Sequence, residues 1–221
     1  MKAEQKQRLI AALGALPTKG NAKMPGYSYG HSPRYCRQGS ILRGKRGSVC
    51  EKCYCKRGNY LYPCVSNSLE RKSKAIMSNI DIWKQAFIEW GNEGLVGEQY
   101  FRFNDSGDLL SEGHLKAIID IAIAFPHVKF WLPTKEYGIV KNVLKDIECP
   151  INLTIRISSY FVDSSPPKLG QCQTSTVSSG KGSGHGMLCL ATHAKDIFGK
   201  ECGPCRICWD KRVDNVDYCK H

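Results

Sequence analysis

Between residues 65 and 162 the chain alternates helical and extended patterns, and this limits the fold more than any other feature. Ser68–Asn79 and Ile82–Trp90 read as helices, the second with an apolar face of Trp83, Phe87 and Trp90. Tyr100–Phe103 reads as a strand. Ser111 caps a helix running to about Phe125, with Leu115, Ile118, Ile119 and Ala122 at helical spacing. Val128–Leu132 is a second strand, Thr134 is expected to cap a helix over about Glu136–Ile147, and Ile151–Ile157 alternates cleanly as a third strand. Such alternation implies an α/β fold, either a partial (βα) barrel or an open parallel sheet.

In both architectures the loops after the strands converge on one face, where active sites lie. The loops are Asn104–Asp108, Pro133–Glu136 and Ser158–Tyr160. Their Asp105, Asp108 and Glu136 are therefore the candidate catalytic carboxylates, for acid–base work or for holding a small-molecule substrate. A structural role competes with this. Asp105, Ser106 and Asp108 suit helix capping around a Gly107 turn, and Glu136 suits the first turn of a helix. Arg156 lies within a strand, facing either side.

The rest of the chain divides by composition. Residues 1–20 read as an amphipathic N-terminal helix ended near Gly14 and Pro17. Glu4 and the lack of a small-residue cleavage site argue against a signal peptide. Residues 21–162 form the α/β domain, opening with an irregular segment over 21–64 rich in Gly, Tyr, Cys and basic residues, including Asn21 to Gly26. Residues 163–187, rich in Ser, Gly and Thr, are expected to be a flexible loop, and 188–221 a cysteine-rich tail, all within one compact domain of 221 residues. The apolar run Ala117–Phe125 is broken by Asp120 and far too short to span a bilayer, so no membrane segment is expected.

Twelve cysteines stand out, and their spacing decides how to read them. Cys50-x2-Cys53 and Cys202-x2-Cys205-x2-Cys208 are metal- or cluster-ligand spacings, and without a secretory signal they imply a reducing cytosol. In Cys202-Gly-Pro-Cys-Arg-Ile-Cys208, Gly203 permits an unusual φ and Pro204 stiffens the turn, so three thiolates curl around one core. Cys189 is the candidate fourth ligand. A [4Fe-4S] cluster suits this set, with tetrahedral zinc as the alternative. Cys36, Cys50 and Cys53 form a second candidate set, whose three ligands would leave one position open for chemistry. His185 and His193 flank Cys189 as alternative ligands, although loop histidines are more often simply exposed. Cys55, Cys64, Cys149, Cys172 and Cys219 look incidental, Cys149 as a small core residue. Ser179–Ser183 is rejected as a phosphate loop, because Ser175 replaces the upstream glycine and no strand is expected before it. The net charge of +12 fits a nucleic-acid or host-protein partner, a basic soluble surface, or compensation for anionic cluster thiolates.

Several motifs in fixed order carry a family resemblance. Tyr27-Ser-Tyr, Gly47-Ser-Val-Cys-x2-Cys-Tyr, Gly58-x-Tyr60, Tyr100-Phe-Arg-x2-Asp-Ser-Gly-Asp-Leu109, Lys129-Phe-Trp-Leu-Pro-Thr-x-Glu-Tyr137, Ile155-Arg-Ile-Ser158 and Cys-Gly-x-Cys-Arg-x-Cys-Trp-Asp210 resemble the phage "gene product eighty-eight" proteins over roughly residues 20–221. Cys55 stands where that pattern has a small Ala, and Leu190 where it has Pro. The resemblance implies a viral or prophage origin, which makes the reducing cytosol expected from the cysteines that of a host. A fainter one, to radical S-adenosylmethionine enzymes, rests on the three-cysteine set beside Tyr54, without their compact spacing. The expectation is an iron–sulfur enzyme using its cluster as a Lewis acid, for ester or thioester hydrolysis, or as a redox centre. The alternative is a zinc- or cluster-stapled binding module.

Overall fold

The computed structural model describes residues 1–19, 24–170, 172–180, 182–194 and 201–220. Asn21, Ala22 and Lys23 of the irregular segment, and Lys181 of the rejected phosphate-loop pattern, lie outside the described residues. Among the described residues, seven strands form one sheet: β1 (Tyr27–Tyr29), β2 (Tyr100–Phe103), β3 (Lys129–Thr134), β4 (Leu153–Ser158), β5 (Gln173–Ser178), β6 (Met187–Leu188) and β7 (Asn215–Cys219). Their order is β1-β2-β3-β4-β5-β7-β6, with every neighbouring pair parallel. The sheet is open, so the second of the two expected architectures is the one found and no barrel closes. Strands β1 to β5 follow one another in chain order, so the C-terminal ends of β1–β4 make one continuous edge, as in a barrel segment.

Among the described residues seven α-helices accompany the sheet: α1 (Ala3–Leu13), α2 (Arg37–Arg43), α3 (Pro63–Ser78), α4 (Ile80–Gly94), α5 (Glu112–Ala124), α6 (Tyr137–Asp146) and α7 (Leu190–His193). Local chemistry explains their limits. Gly14 ends α1 at a φ of 74°, where a Cβ would lie 2.4 Å from the Arg71 backbone. Pro63 pre-sets the first turn of α3, which starts earlier than periodicity alone suggests. The Ser111 hydroxyl accepts the His114 N–H at 3.1 Å and caps α5 as expected.

One face of the sheet is apolar. Phe101, Phe103, Phe130, Leu132, Leu153, Ile155 and Ile157 meet Leu9, Leu13, Trp83, Phe87, Ile118 and Val140 from the helices in a single core. The opposite face is covered by the tail, through a smaller cluster of Trp131, Cys208, Trp209 and Val216. Thr154 donates to the Trp209 carbonyl at 2.9 Å, and the Trp209 indole donates to the Phe101 carbonyl at 2.8 Å. The tail is therefore a layer of the fold.

Two histidines are sealed beside the apolar core. His31 and His114 lie 5.7 Å apart, centroid to centroid, with Trp83 5.4 Å from His114. Burial lowers the His31 pKa to about 4, against opposing hydrogen bonds to the Asp108 and Ser32 backbone, and holds His114 well below its ordinary value. Both are neutral in the folded protein. A folded pKa below the unfolded value makes this stability whole above the ordinary histidine pKa of about 6.5 and removes it as pH falls towards the folded value. Acidification from about pH 6.5 to about 4 should thus cost on the order of 3 kcal/mol through His31 alone. Urea melts across that window, with histidine ring protons followed by NMR, check this. Stability that stays level, or rings that titrate near their ordinary value, would refute it.

Three expectations need correcting. The stretch 163–187 contains β5 and the start of β6, so it is not a loop throughout. A strand also does precede Ser179, although β6 rather than a helix follows, so the phosphate-loop pattern stays rejected. Thr134 belongs to β3, and the N-cap position of α6 falls on Glu136, whose N–H the Thr134 hydroxyl accepts at 3.1 Å.

Candidate functional site

The irregular segment after β1 is sewn across the C-terminal edge of the sheet. The Gln38 N–H donates to the Glu136 carboxylate at 2.8 Å, just after β3. The Val49 N–H donates to the Tyr160 carbonyl at 2.9 Å, and Ser48 bridges Phe161, both just after β4. The Tyr54 hydroxyl donates to the Asp105 carbonyl at 2.5 Å, just after β2. These ties carry the first thiol group. Cys36 precedes α2, and Cys50 and Cys53 sit on a tight turn whose Cys53 N–H reaches the Cys50 carbonyl at 3.3 Å.

Gly39 keeps the space between two of these thiols. A Cβ there would stand 3.0 Å from the Cys36 Cβ and 3.7 Å from the Cys50 Sγ. Alanine would favour α2 by up to about 1 kcal/mol through helix propensity while pressing on both cysteines. Gly39→Ala should therefore leave the melting temperature level or higher and lower metal uptake by this group. Unchanged metal content would show that the space is incidental.

The electrostatics around the group are mixed. Burial pushes the Cys36 thiol up, reinforced by Asp108, Cys53, Cys50 and Glu136. Burial also raises Cys50, against Lys135 and Arg43. Cys53 shares a hydrogen bond with Cys55 that draws the Cys53 thiol down and Cys55 up, and Arg43 and Lys135 favour the Cys53 thiolate further. Cys55, which looked incidental, is thus buried against a candidate ligand. Its packing role left no spacing signal; only its departure from the family pattern marked it.

The three candidate carboxylates divide. Asp108 and Glu136 are charge neighbours of Cys36. Asp108 accepts the Thr134 hydroxyl at 2.6 Å and the Leu109 and Lys135 N–H groups at 2.8 and 2.9 Å, while burial still raises its pKa. Burial likewise raises Glu136. Asp105 instead accepts the Ser28 hydroxyl at 2.9 Å and lies near Lys72 and Arg102. Asp105 thus turns towards β1, and the carboxylates that are charge neighbours of Cys36 are Asp108 and Glu136.

The tail forms the second group. Cys189 precedes α7, and its N–H donates to the Asp217 carbonyl at 2.8 Å. The Cys205 N–H donates to the Cys202 carbonyl at 2.9 Å across Gly203, whose φ is 49° as the motif requires. The Cys208 Sγ lies 3.1 Å from the Tyr218 hydroxyl. The four thiols are electrostatic neighbours: Cys189 with Cys205, Cys202 with both, and Cys208 with Cys189 and Cys202. Burial raises Cys189 and Cys202, and pushes Cys208 up to about 12. His193 lies 3.2 Å from the buried Asp217 carboxylate, and His185 is exposed. Among the described residues no three His, Cys, Asp or Glu side chains stand close enough to hold a single metal ion.

An open parallel α/β sheet with a cysteine-rich layer at its C-terminal edge and another on its inner face defines a cysteine-rich α/β protein. The family model described as Gene product 88 matches residues 2–211, and the chain belongs to this phage gene product 88 family. No curated protein and no solved structure matches the chain. Nothing found supports the fainter resemblance to radical S-adenosylmethionine enzymes. No helix among the described residues is long and apolar enough to cross a membrane.

Proposed function

We propose that this chain is an iron–sulfur enzyme. In this reading Cys189, Cys202, Cys205 and Cys208 hold a [4Fe-4S] cluster in the tail, and Cys36, Cys50 and Cys53 hold a second one. The observation that carries the proposal is the gathering of a three-thiol group at the C-terminal ends of β2–β4, beside two buried carboxylates. The donor chemistry fits: thiolates are the usual ligands of such clusters, the tail triple has the ferredoxin spacing, and Gly39 leaves room between Cys36 and Cys50. A cluster with an open iron supplies Lewis acidity for ester or thioester hydrolysis, or an electron. Glu136 and Asp108, whose carboxyls burial holds above the ordinary carboxylate range, would hold or move a proton beside a substrate. Arg43 and Lys135 would offset the thiolate charge.

Anaerobic purification, with iron, sulfide and zinc counted per chain and an absorption spectrum recorded, tests the reading on the parent, Cys205→Ala and Cys53→Ala. Cys205→Ala should deplete iron severely and lower stability, because ligand binding and folding are linked. Cys53→Ala should remove part of the iron and abolish hydrolysis of a p-nitrophenyl ester, with the fold intact and the tail cluster still reducible by dithionite. Zinc without sulfide would establish a stapled module instead. Loss of all iron from Cys53→Ala would mean one cluster shared by both segments, and full iron in Cys205→Ala would refute the tail assignment.

A further inference from the structure

Between the two thiol groups lies a set of polar side chains that neither uses. Arg102 of β2 places its Cζ 4.3 Å over the ring of Trp131, its register partner on β3. Trp131 meets Trp209 edge-on at 5.1 Å and stacks against Tyr218 at 6.5 Å, and Tyr218 touches Cys208. Towards the other thiol group, Arg102 has Tyr54 and Asp105 as charge neighbours. Tyr54 keeps 41% of its surface accessible.

The donors here are poorly matched. The Arg102 Nη1 donates to the Met24 Sδ at 3.1 Å, a weak acceptor. The Arg102 Nε, the Trp131 Nε1 and, at the end of the same strand, the Asn104 Nδ2 are all out of solvent without an acceptor. Asn104 is 5% exposed and Trp131 6%. Among the described residues no carboxylate forms an ion pair with Arg102. Native proteins seldom leave buried donors unmet, since each costs stability unless something else satisfies it.

We propose that Arg102, Trp131 and Asn104 form a binding site for a small organic carboxylate on the inner face of the sheet. The chemistry selects that class. Three donors are left over against a single acceptor, the Asp105 Oδ1, so the ligand must bring acceptors. A planar carboxylate offers two to a guanidinium, and the indole and phenol rings suit an apolar body beside it. Simple neutralisation of tail thiolates is the competing role for Arg102, because Cys202 and Cys208 are also its charge neighbours.

Calorimetric titration of the purified full chain with benzoate, and with benzamide as its neutral counterpart, tests the site. Benzoate should saturate and benzamide bind at least about tenfold more weakly. Arg102→Lys keeps the charge but loses the planar fork, and Arg102→Gln loses both. Each should weaken benzoate by about tenfold or more, with iron and sulfide in Arg102→Lys matching the parent. A parent that ignores benzoate, or variants that bind it as the parent does, would overturn the site. So would an Arg102→Lys chain that keeps its benzoate affinity while losing iron, which would make Arg102 a counter-charge only. Iron and sulfide are counted on the same samples. An iron-free chain that binds benzoate sinks the cluster reading and leaves this site standing, whereas an iron-loaded chain indifferent to benzoate does the reverse.

Discussion

Replacing Arg156 with leucine should release the cysteine-rich tail from the sheet and, on the proposed iron–sulfur reading, lower the iron per chain. Arg156 lies in β4 with 0% exposure, and every N–H of its guanidinium has an acceptor. Nε donates to the Cys208 carbonyl at 3.0 Å, Nη1 to Thr174 and Val213 at 3.1 and 2.9 Å, and Nη2 to Ile207 and Asp210 at 2.7 and 2.9 Å. Four of those five carbonyls flank Cys208 in one bend of the tail. A single side chain thus fixes the backbone that presents the last thiol of the triple. Leucine would fill the volume and take the guanidinium from all five carbonyls, of which Ile207 and Asp210 keep the N–H groups of Asp210 and Val213. The losses are not additive, but stranding several buried acceptors at about 1–3 kcal/mol each costs about 3–5 kcal/mol after partial relaxation. For a chain of this size that is a fall of about 10 °C in Tm. Arg156→Lys should fall between, since an ammonium keeps the charge but has three donors and no fork. Iron per chain and thermal melts read both effects. Parent-like iron and Tm in Arg156→Leu would show that the tail holds its bend unaided.

The sequence places Arg156 in a strand but does not tell which face it takes. In β4 five of the six residues are buried, because the helices pack on one face and the tail on the other. Alternation then stops reporting inside and outside, and an arginine on the tail side looks the same as one facing solvent. Strands β2, β3 and β4 were legible because aromatic and branched residues dominate them. Strand β5 was not, since it reads Gln-Thr-Ser-Thr-Val-Ser and resembles a linker. Its polar side chains are satisfied sideways: Thr176 and Ser178 donate to the Asp217 carboxylate at 2.6 Å each, and Thr174 donates to Asn215 at 2.8 Å. Hydrogen bonds between β5 and β7 do there what apolar contact does elsewhere, and composition carries no trace of that pairing. Close spacing ties Cys50 to Cys53, and Cys202 to Cys205 and Cys208, whereas Cys36 and Cys189 stand well upstream and carry no such signal. The partners of each group were not legible, because the segments that carry them return to the sheet from remote parts of the chain. Tyr54 reaching Asp105 is one such return.

Removing the Asp108 carboxylate should loosen the three-thiol group before it touches chemistry. Its oxygens collect the Leu109 N–H, the Thr134 hydroxyl and the Lys135 N–H, joining the loop after β2 to the end of β3. Thr134 in turn accepts the Glu136 N–H, and Glu136 holds Gln38 in the first turn of α2, next to Cys36. The chain of contacts runs from Asp108 to the first thiol. Asp108→Ala would strand a buried hydroxyl and two N–H groups, a loss of about 2–4 kcal/mol after partial relaxation. Asp108→Asn keeps the shape and two of the three acceptor contacts but turns an amide donor towards the third, costing about 1–2 kcal/mol. If Asp108 is only a clamp, turnover per bound iron in Asp108→Asn should match the parent and only stability should fall. If it also transfers a proton, Asp108→Asn should hold its iron and lose activity by about a hundredfold, the lower range for general acid–base catalysis. Glu136→Gln provides the contrast: its amide oxygen still accepts the Gln38 N–H, so the fold should survive and any loss of turnover would belong to the carboxyl. Thermal melts and iron content that leave Asp108→Ala indistinguishable from the parent would remove both roles.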